Sequence, residues 1–215
     1  MAQIFPRWTN KAPIYFLLGV FLLLCAIVGF FWYYGSPKYT DVGYQPKQPV
    51  PYSHKLHAGD LGLDCRYCHS SIEVSAHANV PPTKTCMNCH TLILPESEKL
   101  LPVRESWSTG EPIQWVRVHK LPDFVYFDHS IHLHAGIGCA SCHGNVAQME
   151  VVTQRKPLSM GWCLDCHRNP DKQIRPQSEI TNMEWVPGRD HAQFVKKWKT
   201  ENNINPREEC SACHR

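Results

Sequence analysis

Charge is scarce in this chain of 215 residues: 19% are charged and the formal net charge is only +3. So small a surplus excludes the basic surface of a nucleic-acid binder, and no nucleic acid is expected among its partners. No acid–base constellation that would support catalysis stands out. The first eleven residues contain no acid, only Arg7 and Lys11. No A-x-A-like cleavage site follows the apolar stretch behind them, which argues against a removed export signal. With 17 prolines and few long amphipathic patterns, a conventional core is not to be expected either.

What is abundant is cysteine and histidine, 11 and 13 residues. Ten cysteines form the pairs Cys65/Cys68, Cys86/Cys89, Cys139/Cys142, Cys163/Cys166 and Cys210/Cys213. Each pair is followed at once by a histidine: His69, His90, His143, His167 and His214. Five such coincidences have a chance on the order of one in a million. Zinc sites use C-x-x-C without an obligatory next histidine, and disulfides need neither feature. C-x-x-C-H is the attachment sequence of c-type haem, in which two thiols add to the porphyrin vinyl groups and the histidine binds the iron. Five covalently bound haems c are therefore expected. Their ten propionates would turn the formal +3 into a deficit of about seven. Large and apolar, the haems would also supply the interior that the chain lacks.

Residues 14–34 carry no charge, and as a helix of about 32 Å they match a bilayer's hydrocarbon core. Trp32, Tyr33 and Tyr34 stand at its far end as an interfacial belt would. Positive charge before the helix predicts an N-terminus inside and all later residues outside the cytoplasm. This gives a single-pass protein of a bacterial inner membrane with its haem domain in the periplasm. Cys25, the odd cysteine, is read as an apolar packing residue. The expected organisation is a membrane anchor over 1–35, a proline-rich stalk over 36–51 and a pentahaem domain over 52–215. Within that domain a short helix is expected over 95–103, a short strand over 113–119 and an amphipathic helix over 190–199.

The domain repeats itself. Tyr52-Ser53-His54-Lys55-Leu56-His57 leads to Cys65, and Phe127-Asp128-His129-Ser130-Ile131-His132 leads to Cys139. Each aromatic-x-His-x-x-His motif precedes one attachment site, and a second site follows 21 or 24 residues later. The modules are 52–126 and 127–185, with a fifth-haem segment at 186–215. The five attachment histidines bind iron from one side, so the other side needs further donors. The i, i+3 spacing lets two imidazoles point from one turn to two irons, which makes His54, His57, His129 and His132 candidates. His119, close upstream of the second motif, is another. Met149 is read either as a distal ligand or as a core filler. His77, His134 and His191 are left outside the set.

These modules resemble the class III, low-potential multihaem cytochromes c over most of residues 50–215. That resemblance implies a mostly irregular fold of short α-helices packed around haems. It also implies that His54 caps the Cys65/Cys68 haem and His129 the Cys139/Cys142 haem, with His57 and His132 reaching later ones. One membrane helix followed by YSHKLHAGDLGLDCRYCH, CMNCH, YFDHSIHLHAGIGCASCHG, GWCLDCHR and a last C-x-x-C-H also resembles the membrane-anchored pentahaem subunits of bacterial alternative complex III. What that implies is relay of quinol-derived electrons to a monohaem cytochrome c or a terminal oxidase, beside iron–sulfur and quinol-binding membrane subunits. The expected role is electron transfer without catalysis of its own. A reductase would need an open iron position, for which no site with a substituted proximal histidine speaks. A stand-alone quinol dehydrogenase feeding a periplasmic reductase is the alternative.

Overall fold

The computed structural model describes residues 4–215. They divide into two compact units, one reaching to Val42 and the other Gly43–Arg215. In the first, a short 3-10 turn at Arg7–Lys11 runs into helix α1 (Ala12–Tyr34). The helix starts two residues earlier than the apolar stretch because Pro13 sits in the first turn, where a missing N–H costs nothing. The span Arg7–Tyr34 has a mean hydropathy of 2.8 and no buried residue. An all-round apolar helix has no polar face to turn to water. The rings of Phe30, Tyr34 and Tyr39 cluster where it ends, before the single turn α2 (Pro37–Thr40).

The second unit is built of short helices: α3 (Cys65–Cys68), α4 (Thr83–His90), α5 (Leu101–Thr109), α6 (His129–His134), α7 (Cys139–His143), α8 (Met160–Arg168), α9 (His191–Glu201) and α10 (Cys210–Cys213). Among the described residues no strand forms, and β-pairing is limited to the bridges Val125–His214 and Ile137–Ile174. Among the described residues seven large apolar side chains are buried, Ile174, Ile180 and Val195 among them. So small a core leaves the helices without enough protein to pack against, as expected of a chain whose interior is completed by a bound group.

Half of the proline-rich stretch expected as a stalk packs onto this unit. Gly43 N–H and Gln154 C=O pair at 2.8 Å, Gln154 N–H and Tyr44 C=O at 3.0 Å, and Val50 is buried. The expected strand over 113–119 has no ladder. Its Val116 is held by the Gln48 carboxamide, which donates to the Val116 carbonyl at 2.8 Å and accepts its N–H at 2.9 Å. One side chain thus substitutes for a neighbouring strand. The helix expected over 95–103 lies further along, as a 3-10 turn Glu98–Leu100 followed by α5. Pro102 belongs in a first turn, not an interior, and Leu94 has a left-handed φ of 52°. Gly110, at φ 78°, then closes α5 as a left-handed cap. The amphipathic helix over 190–199 forms as α9, which buries Val195 and donates from Trp198 Nε1 to the Ala135 carbonyl at 3.2 Å.

Candidate haem centres

The two aromatic-x-His-x-x-His copies fold differently at the backbone and alike at the side chains. In the second, Asp128 accepts from the N–H groups of Ser130 and Ile131 and starts α6 as an ordinary helix. In the first, Ser53 Oγ accepts from Leu56 N–H, and the chain continues as a wider π-type turn, Lys55–Asp60. Even so, Tyr52 lies edge-on to His54 at 4.8 Å and stacked on His57 at 4.4 Å. Phe127 is edge-on to His129 and stacked on His132, both at 4.7 Å. His57 Nδ1 donates to the Ser53 carbonyl at 2.8 Å, and His132 Nδ1 to the Asp128 carbonyl at 2.7 Å.

That hydrogen bond recurs. Nδ1 donates to a backbone carbonyl in His69 (Asn79, 2.7 Å), His90 (Ile93, 2.9 Å), His129 (Ala76, 2.7 Å) and His167 (Arg207, 2.6 Å). A carbonyl can only accept, so Nδ1 carries the proton and Nε2 keeps its lone pair, the state in which histidine binds metal. His191 is the reverse case, with Nε2 donating to the Ile174 carbonyl at 2.8 Å. Its nitrogen is used up in holding α9 to the core. His77 and His134 are exposed.

Three motif histidines stand opposite three attachment histidines. Ring centres are 6.3 Å apart for His57 and His90, 6.4 Å for His129 and His143, and 6.2 Å for His132 and His167. Two imidazoles bonded to one metal from opposite sides, with bonds of about 2 Å, have centres roughly 6.3 Å apart. The residues present therefore fit haem iron at these places. Burial, reinforced by neighbouring imidazoles, pushes His143 down to about 3 and His54 down to about 4. Both are neutral at pH 7, as ligands must be.

The remaining candidates are placed less symmetrically. His119 lies edge-on to His143 with centres 4.3 Å apart, too close for an iron between them. Its Nε2 is buried without a hydrogen-bond partner, as is Nδ1 of His54. Met149 is buried beside the first motif, its carbonyl accepting from Lys55 N–H at 3.0 Å. His214 lies 5.7 Å from the ring of Phe124. All eleven cysteines are free, so none of the five pairs is a disulfide. Among the described residues no group of three or more His, Cys, Asp or Glu gathers as zinc would require.

Two contributors escape the sequence reading. The loop around Asn79, at φ 63°, offers one carbonyl to His69 and another to His129; an asparagine in a turn is the faint signal for it. Arg175 is 5% exposed, 4.6 Å over the Trp185 ring and 3.4 Å from Ser141 Oγ, within the third attachment site. Nothing in its sequence context marks it.

Residues 125–215 match the family of cytochrome c7 and related cytochromes c. The chain is also similar to the multihaem cytochrome c subunit of menaquinone reductase from Nitratidesulfovibrio vulgaris, 28% identical over 206 residues, which are 90% of this chain and 87% of that protein. With its C-x-x-C-H sequences and a fold of short helices without strands among the described residues, the chain is similar over residues 125–215 to cytochrome c7 and related cytochromes c, and over most of its length to a multihaem cytochrome c subunit.

Proposed function

We propose that this protein carries five haems c and relays electrons one at a time within a quinone-linked membrane complex, anchored by α1. The observation that carries this reading is the set of three histidine pairs with centres 6.2 to 6.4 Å apart. When bound, each haem supplies an iron that cycles between ferric and ferrous states. The protein's own residues do the rest. Cys65 and Cys68, Cys86 and Cys89, Cys139 and Cys142, Cys163 and Cys166, and Cys210 and Cys213 fix each haem, with His69, His90, His143, His167 and His214 on the proximal sides. His57 caps the second haem, His129 the third and His132 the fourth. His54, whose charged form is disfavoured by burial and then by nearby His69, caps the first. His119 lies against His143 of the third site and Met149 beside the first motif, so neither is assigned to the fifth. Carbonyls of the chain hold the tautomers, so no side-chain rearrangement need accompany the arrival of an electron.

Two directions of flow are open to such a subunit. Likeness to alternative complex III favours electrons from quinol towards a monohaem cytochrome c or an oxidase. The menaquinone reductase relative favours flow towards menaquinone. Iron–sulfur and quinone-binding membrane subunits suit either. Mass spectrometry of the purified protein should find five haems, and redox-titrated electron paramagnetic resonance (EPR) should find at least four six-coordinate low-spin irons. Fewer than five haems, or several open irons, would sink the proposal. Assaying the isolated complex for menaquinol oxidation against menaquinone reduction decides the direction.

A further inference from the structure

We infer that the five attachment sites form one series in the order second, first, third, fourth, fifth, so that electrons enter and leave the protein at the second and fifth sites. This rests on the ligand pairs proposed above. Four sets of contacts carry the order.

The second and first sites touch directly. Asn88 Nδ2, between Cys86 and Cys89, donates to Tyr67 Oη, between Cys65 and Cys68, at 3.2 Å. Tyr52 stacks on His57, the partner of His90, and also lies beside Cys68 of the first site. The first and third sites come together at their cysteines, Cys65 lying beside Cys139. Both become thioethers on attachment, so that contact marks proximity only. The 76–79 loop adds a second link, since its carbonyls hold His69 of one site and His129 of the other.

Phe127 joins the third and fourth sites, with one face on His132, the partner of His167, and its edge on His129. Fourth and fifth are joined by the segment that leads into Cys210. There Arg207 C=O accepts from His167 Nδ1, and Glu208 pairs with Arg168 at 2.9 Å. Among the described residues, no hydrogen bond, ion pair or ring contact joins the Cys86–His90 stretch to the Cys139–His143 stretch. A series in chain order would need one.

Exposure agrees independently. Of the ten attachment cysteines only Cys89 and Cys210 are exposed, one in each terminal site. Electron tunnelling between proteins needs an edge near the surface, and these two sites offer it.

The test uses the full-length holoprotein with His57→Met. Methionine raises the potential of the second haem above its histidine-ligated neighbours. Once that haem is reduced, its extra electron lowers the potential of nearby haems, more strongly the closer they are. His54→Ala and His129→Ala, each removing one low-spin EPR signal, assign the signals of the first and third haems. The expected result is a downward shift of the first haem several-fold larger than that of the third. Equal shifts, or a larger one at the third, overturn the order. If His57→Met changes no haem to a His/Met spectrum, the ligand reading has failed, and the order with it. Should that variant lose its haem, His132→Met serves instead: the third and fifth haems shift and the second does not, and a shift at the second overturns the series.

Discussion

Each imidazole on a low-spin ferric iron donates π density perpendicular to its own ring. Two parallel rings feed the same d orbital and split the dxz/dyz pair strongly, whereas two perpendicular rings feed both alike. For equal donors the splitting scales as the cosine of the angle between the rings. Angles of 9° for His129/His143, 44° for His132/His167 and 64° for His57/His90 give relative splittings of about 1, 0.7 and 0.4. The EPR spectrum of the oxidised protein should thus contain a strongly rhombic signal from the third haem and a nearly axial one from the second, with the fourth between. His129→Ala should leave five covalent haems, remove the most rhombic signal and create a new high-spin one. If the axial signal disappears instead, or no high-spin signal arises, the pairing of His129 with His143 is wrong.

Other perturbations test other parts. Arg175 is a buried cation beside Ser141 and Cys139. It disfavours the ferric charge, so Arg175→Met should lower the midpoint potential of the third haem more than any other, and a rise would contradict this placement. Ile174 has no exposed surface, and Ile174→Ala should cost about 2–4 kcal/mol in denaturant titration of the holoprotein. A loss below about 0.5 kcal/mol would mean that haems, not Ile174, fill that part of the interior. A chain starting at Gly43, behind a cleavable export signal, should mature as a soluble cytochrome, whereas the full chain should stay with membranes in alkaline wash. Recovery of the full chain in the wash would remove α1 as an anchor.

The sequence makes the candidate attachment sites legible because the chemistry they would serve demands C-x-x-C-H side by side. The motif histidines were legible through repetition. Which iron each would face was not, since His132 meets His167 only after the chain folds across 34 intervening positions. The nitrogen chosen by each ring was equally hidden. His191 and His129 look alike as letters, yet one spends Nε2 on a carbonyl and the other Nδ1. Misplaced elements have local causes. Pro102 suits a first turn and so moved α5 along the chain, and the β-branched run at 113–119 found a glutamine side chain where a strand needs a strand. Arg175 was invisible because its neighbours come from residues 138–141 and 182–185.

His167 lies in α8, but the carbonyl that sets its tautomer belongs to Arg207, 40 residues later. The tail is thus a latch as well as a carrier of its own cysteines. In the five-haem reading proposed above, the fourth centre could receive its haem before the latch is in place, but His167 would be held in its final orientation only afterwards. In that reading a truncation just before Arg207 removes both the fifth attachment sequence and the carbonyl that orients His167, so it should damage two centres together. Completeness of synthesis is written into the ligand of an earlier site, where a spectrum can read it.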